Sequence, residues 1–399
     1  MIRRIKFSVL LLVLFLTSFS NLFSSVIESR KYLTYLDLSF VQNINLMDGY
    51  SYGGGFMNSS FGILYDFNEK NSLVLNYNLL YNGPSVNLNS RDLMERIINN
   101  SLSVEWQKKI NDSYRVRTDL YTGKEMRKSS SIGDFNDNLY NNNSKGVSFY
   151  LDRYFSKRDI LTSGLIYRKI EFPNYTDLIT EFKIPGSQSN ISGGLYDNNL
   201  YVIDLKLKKD GYFASMNYTI QKYINQKIVL SSGTYSSEKQ NDKNIKFIFG
   251  LERTLNNFLF FPTISFIHHD SNQNFLRFKS LTDLSPYFVR DAYDYNQYSF
   301  KIPSSFSFLS MDFELSMGYD IKSYVSRPPR DINNDYILSR KQKDYVLSLD
   351  FSVSRKINDI ASISFYYSFV KSDSNNKFDA YLPLNYTANS FGFGYRIRY

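Results

Sequence analysis

Three features of the sequence together predict an all-β fold, an antiparallel sheet closed on itself. Segments of alternating apolar and polar residues recur along the chain, the period at which a strand turns successive side chains to opposite faces. Tight turns and long polar loops alternate between these segments. Aromatic residues are abundant, Tyr 34 and Phe 33 against Trp 1, and aromatics favour strands.

Taken in order, Leu36, Leu38 and Phe40 alternate with Asp37 and Ser39. Phe61, Ile63, Tyr65 and Phe67 alternate with Ser60, Gly62 and Asp66, and a turn at Asn68 to Asn71 leads into Leu73 to Tyr81. A polar loop with Gly83-Pro84 follows, in which Arg91 to Ile98 reads as one or two helical turns. Leu102, Val104 and Trp106 turn at Asn111-Asp112 into Tyr114 to Leu120, and Gly123 to Lys145 reads as a long loop. Val147 to Phe155 and Ile160 to Glu171 are joined by a short turn at Ser156 to Asp159.

After a loop to Asn199, Tyr201 to Lys208 turns at Lys209-Asp210-Gly211, a hairpin signal. Tyr212 to Ile220 follows, and Ile228 to Tyr235 reads equally as a strand, an extension or a loop hairpin. Ile245 to Leu251 turns at Asn256-Asn257 into Phe258 to Ile267. Two further hairpins, Tyr298 to Ile321 and Tyr345 to Phe369, sit between loops at Asp270 to Tyr295, Ser323 to Lys343 and Ser372 to Asn389. The total is about 16 strands, within a range of about 14 to 18, each of about 9–12 residues, the length a tilted strand needs to cross a bilayer.

The last strand runs Ser390, Phe391, Gly392, Phe393, Gly394, Tyr395, Arg396, Ile397, Arg398, Tyr399. Phe391, Phe393, Tyr395, Ile397 and Tyr399 share one face; Gly392, Gly394, Arg396 and Arg398 share the other. This stretch resembles the closing strand of bacterial outer-membrane β-barrel proteins. The resemblance implies a closed transmembrane β-barrel of the porin-like kind in the outer membrane, surrounded by its lipid. It also implies that the barrel-assembly machinery reads Phe391, Phe393, Tyr395, Ile397 and Tyr399. Such barrels carry short periplasmic turns and long extracellular loops, the asymmetry of this chain.

At the other end, Arg3, Arg4 and Lys6 precede an apolar run from Phe7 to Leu16 and small residues to Ser20. This reads as a signal peptide over 1–20, with cleavage as late as residue 25, followed by one barrel domain over 21–399. The apolar run is about half the roughly 20 residues a spanning helix needs. Cysteine is absent, so disulfides and thiolate metal sites are excluded. Net charge is +9, and removing Arg3, Arg4 and Lys6 leaves +6, with the cations scattered. Nucleic acid is not an expected partner.

Catalytic signals are thin. His268, His269 and Asp270 could mark the rim of an outer-membrane hydrolase, but no nucleophile motif accompanies them, and adjacent histidines on a strand face opposite ways. No catalytic residue, cofactor or metal site is expected. The candidate pore-lining residues are the charges on polar strand faces. Arg115, Arg117, Lys206, Arg396 and Arg398, with Lys208 and Lys246, are the cations; Glu105, Asp119, Asp152, Asp204, Asp312, Glu314 and Asp350 are the anions. A Lys or Arg turned to lipid at mid-depth costs roughly 2–4 kcal/mol, so these point inward. The expected function is a passive channel for small hydrophilic solutes, with a weak anion preference set by Arg115 and Arg117. The loop at Gly123 to Lys145 is expected to narrow the channel, and copies of the chain are expected partners. The alternatives are a barrel that presents extracellular loops for adhesion or structure, and a barrel that exports a specific polymer or surface protein.

Overall fold

The computed structural model describes residues 32–47, 50–83, 96–128, 134–176, 193–277, 287–378 and 384–399. The expected signal peptide, 1–20, lies outside them. Sixteen strands form a single ring in which every barrel strand pairs antiparallel with its neighbours. They are β1 Tyr32–Met47, β2 Tyr50–Asn68, β3 Asn71–Gly83, β4 Arg96–Lys109, β5 Tyr114–Lys128, β6 Asn142–Tyr154, β7 Ile160–Glu171 and β8 Asn198–Lys209. The second half comprises β9 Tyr212–Val229, β10 Tyr235–Leu251, β11 Thr263–Ser271, β12 Tyr295–Phe308, β13 Met311–Tyr324, β14 Lys343–Lys356, β15 Ala361–Ser374 and β16 Tyr386–Arg398. Two three-residue pieces, Arg253–Leu255 and Phe258–Phe260, continue the hairpin between β10 and β11.

The ring closes between β1 and β16, with Asp37 opposite Arg398 and Met47 opposite Ala388. At the foot of this seam the Leu36 N–H donates to the Tyr399 carbonyl at 2.9 Å, and the Tyr399 N–H donates back to Leu36 at 2.8 Å. Closure leaves no bare sheet edge, the condition for a sheet to sit in hydrocarbon.

At one end the connections are tight and held by their own side chains. Asn68 Oδ1 accepts the N–H groups of Lys70 and Asn71; Asn111 Oδ1 accepts those of Ser113 and Tyr114; Asn358 Oδ1 accepts those of Ile360 and Ala361. These are Asx turns, which is why Asn recurs at this end. The long loops, and the tight β1–β2 and β9–β10 connections, lie at the other end.

Four local expectations are corrected. Gly123 to Lys145 is not one loop: β5 continues to Lys128 and β6 starts at Asn142. Arg96 to Ile98 lies in β4 rather than in helical turns, and 91–95 lies outside the described residues. Ser372 to Ser374 and Tyr386 to Asn389 are strand, not loop. Phe258 to Ile267 is interrupted at Phe261-Pro262, since proline has no N–H to give to a sheet. In the ambiguous middle, β9 and β10 extend to Val229 and Tyr235, so Ile228 to Tyr235 is the top of one long hairpin. Strands run longer than expected, 18 residues in β9 and 19 in β2, because they continue beyond the apolar band.

Candidate functional site: the inner wall

The two faces of the ring differ sharply. On the outer face, Phe149, Leu165 and Ile203 form one rung across β6, β7 and β8, and Leu165 is 59% exposed. Phe391, Phe393 and Tyr395 continue that face on β16. The polar-face residues point the other way. At the short-turn end a cavity of about 630 Å³ is bounded by Ser305, Asp312, Glu314, Ser354, Ser362, Arg396 and Arg398 from five successive strands, a concavity that only the inside of the ring provides. The polar face is therefore the lumen wall.

All twelve candidate lining residues fall on this face, in four groups. The first joins β4 to β7. Asp152, fully buried, accepts from Arg115 Nε at 2.9 Å, Arg117 Nε at 2.8 Å, Arg117 Nη2 at 3.1 Å and Thr162 Oγ1 at 2.8 Å. Arg117 Nη1 also reaches Glu105 at 3.4 Å, and Gln107 donates to Glu105 at 2.6 Å. The guanidiniums lie over aromatic rings, Arg117 over Tyr150 at 4.7 Å and Arg115 over Tyr154 at 5.4 Å. Asp119 sits beside Glu105 in register, with Oδ1 buried and lacking a hydrogen-bond partner.

In the second group Lys206 Nζ lies 2.7 Å from Asp204, and Lys208 reaches Glu252 at 2.8 Å. The third clasps the seam: Asp37 accepts from Arg396 Nε at 2.8 Å and from Arg398 Nε at 3.4 Å. The fourth differs in kind. Asp312 accepts from Ser307 at 2.6 Å, Glu314 from Ser352 at 3.1 Å and Asp350 from Ser368 at 2.6 Å. The expected basic wall at Arg115 and Arg117 is thus neutralised by Asp152 and Glu105, which removes the basis of an anion preference.

Sequence reasoning passed over three parts of the wall. Asp37, the partner of the two terminal arginines, is one. Another is a set of inward tyrosines lying flat across glycines of the next strand. A Cβ on Gly62 would come 2.0 Å from the Tyr35 ring, and one on Gly392 would come 2.2 Å from Tyr366. The glycines seat the rings against the wall, and the signal is a Tyr on the polar parity opposite a Gly. The third is a buried polar cluster at the long-loop end, where Gln240 and Ser271 donate to Asp242 and Gln273 donates to Gln240 at 3.1 Å.

The histidines separate as strand parity requires. His268 faces outward with Nδ1 2.8 Å from Asn296 Oδ1, while His269 stacks on Tyr295 at 5.0 Å. Among the described residues no group of three His, Cys, Asp or Glu could hold a metal ion.

No family model and no curated protein matches the sequence. Solved structures with similar coordinates are outer-membrane-expressed OmpT of Vibrio cholerae, at 12% identity over 94% of this chain and 99% of that one, TM-score 0.47; OccK3 of Pseudomonas aeruginosa, at 8% over 92% and 96%, TM-score 0.47; and CdiB from Acinetobacter baumannii, at 10% over 93% and 60%, TM-score 0.49. At such identities the likeness says nothing about function. The closed ring and its apolar outer face define the architecture. The chain is a closed sixteen-stranded β-barrel with an apolar outer face. In outer-membrane barrels the short-turn end is periplasmic and the long-loop end extracellular, and the two ends of this ring follow that pattern apart from the tight β1–β2 and β9–β10 connections.

Proposed function

We propose that this barrel is a passive channel for small hydrophilic solutes. The observation that carries the reading is the inner wall: a closed ring of sixteen strands whose lumen face is serine, asparagine, tyrosine and charge rather than packed apolar side chains. Rings of about 16 to 18 strands are wide enough to leave an aqueous channel, whereas about 8 strands fill with their own side chains. Flat-lying Tyr35 and Tyr366 keep bulk against the wall instead of across the lumen.

The test is conductance of the purified barrel in planar bilayers. Stepwise, salt-dependent openings and entry of small sugars into loaded liposomes are expected. Folded barrels that insert and give no steps would overturn the channel reading. Sizing the same preparation by light scattering with the detergent subtracted reads whether copies of the chain associate.

A loop-presenting role has one observation in its favour. Tyr140, Tyr175, Tyr196 and Tyr223 pack in series at the extracellular end, with centroids 5.4, 4.1 and 5.5 Å apart. Such a packed rim is a firm platform. Electrical silence together with binding to cells that is lost on trimming these loops would favour that role instead.

A further inference from the structure

We propose that the lumen passes cations in preference to anions, and that the carboxylates of β13 and β14 set this preference. The inference rests on the channel reading above and names the class of solute that the channel favours.

The argument is one of compensation. Most candidate lining cations have a carboxylate within ion-pair range; Lys246, three strands away from β13, lies instead opposite Asn217 and Ile267. Arg115 and Arg117 share Asp152 at 2.9 and 2.8 Å, Lys206 holds Asp204 at 2.7 Å, and Arg396 and Arg398 share Asp37. Arg115 and Arg117 are balanced by Asp152 and Glu105, and Lys206 by Asp204, whereas Arg396 and Arg398 share one carboxylate and keep one positive charge between them. The carboxylates of β13 and β14 are treated differently. Asp312, Glu314 and Asp350 take hydrogen bonds from serines, and Asp344 takes them from Ser374 at 2.6 Å and Gln342 at 3.0 Å. A hydroxyl or amide satisfies a lone pair but leaves the charge in place. Among the described residues, none of these four, nor Asp320 on the same face, stands in an ion pair.

Their positions follow one line along the wall, closest together at its lower end. Register places Asp312 and Glu314 two residues apart on β13, Asp350 opposite Ser316, and Asp344 opposite Lys322. Two residues along a strand is about 7 Å. That is shorter than the screening length of about 8 Å at physiological salt, so the fields of Asp312, Glu314 and Asp350 overlap, while Asp320 and Asp344 lie further up the wall. The stripe runs from the periplasmic turn to the extracellular mouth and forms one wall of the 630 Å³ cavity at its lower end. Five cations among the described residues face it. Lys301 lies opposite Gly318, Lys322 has its Nζ over the Tyr295 ring at 3.8 Å, Lys356 lines the cavity at the periplasmic end of β14, and Arg396 and Arg398 share Asp37. The net positive charge of the sequence is therefore a poor guide to the lumen. What matters is which charges are left uncancelled along the path.

The test measures reversal potential across a KCl gradient for the full barrel in planar bilayers. The expected result is a several-fold permeability preference for potassium over chloride. It should fall toward unity as salt rises from about 0.1 M, where screening acts over about 10 Å, to about 1 M, where it acts over about 3 Å. In the combined variant Asp312→Asn, Glu314→Gln, Asp350→Asn the preference should be lost with conductance retained. A wild type that conducts without cation preference, or a combined variant that keeps it, overturns this inference and leaves the channel reading standing. Absence of any conductance in the wild type overturns both. Should the combined variant fail to insert, the single variants decide: a partial loss in Glu314→Gln and in Asp350→Asn supports the stripe, and no change in either overturns it.

Discussion

The carboxylate of Asp152 shows how much one side chain can hold on a barrel wall. It joins two arginines and a threonine from β5 and β7 with no exposure of its own. Removing one partner of a buried ion pair costs roughly 3 kcal/mol, because the other charge is left uncompensated. Asp152→Ala should lower the unfolding free energy of the detergent-folded barrel, read by urea titration, by about that amount, and should move reversal potential toward anions by freeing Arg115 and Arg117. The flat tyrosines make a second prediction. A methyl at residue 392 meets the Tyr366 ring, so Gly392→Ala should cost about 1–3 kcal/mol as overpacking and should reduce conductance by tipping the ring into the lumen. That these charges share one face was legible from parity alone: Arg115, Arg117 and Asp119 hold the odd positions of one strand. Their partnerships were not legible. Asp152 meets Arg115 only because β5 and β6 pair in one register, and register is set by turn geometry at a distance.

Whole strands and turns were read with mixed success, for physical reasons. Turns announced themselves because Asn, Asp and Ser close them with their own side chains. Asp159 is one of these. The Ser156 hydroxyl and the Asp210 N–H hold its carboxyl below the usual carboxylate range. A carboxyl lowered on folding contributes stability above its unfolded value, near 3.9, and loses it as pH falls through the lower folded value. The deficit of Asp159→Ala in thermal melts should therefore be full at neutral pH and narrow below about pH 4. At the β12–β13 turn, Leu309 and Ser310 adopt φ of 49° and 59° without glycine or asparagine. A left-handed residue with a Cβ costs about 1–2 kcal/mol, so Ser310→Gly should raise the unfolding free energy read by urea titration by about 1 kcal/mol. The strand ends were missed where β5 runs on to Lys128 and β15 to Ser374. Beyond the bilayer no apolar face is demanded, so alternation fades while the hydrogen-bond ladder continues.

Across the whole molecule the outer face is the most rigid requirement. Leu165 sits in an unbroken apolar rung at mid-strand, so Leu165→Arg should destabilise the barrel by roughly 2–4 kcal/mol in lipid, whereas Ser316→Arg on the inner wall should be far better tolerated. Guanidine titration in liposomes separates the two. The ring was legible because every strand had to obey the same solvent inside and out. The lumen's electrical character was not, since it depends on which charges cancel. The seam carries one more implication. All other barrel neighbours are adjacent in the chain, while Asp37 meets Arg398 across a separation of 361 residues. Hairpins can zip up locally and early, but that last joint must wait for two distant ends to find each other. Until then the growing sheet has two raw borders, each able to template a stranger's strand, so the moment of greatest danger for this protein falls just before it becomes a circle.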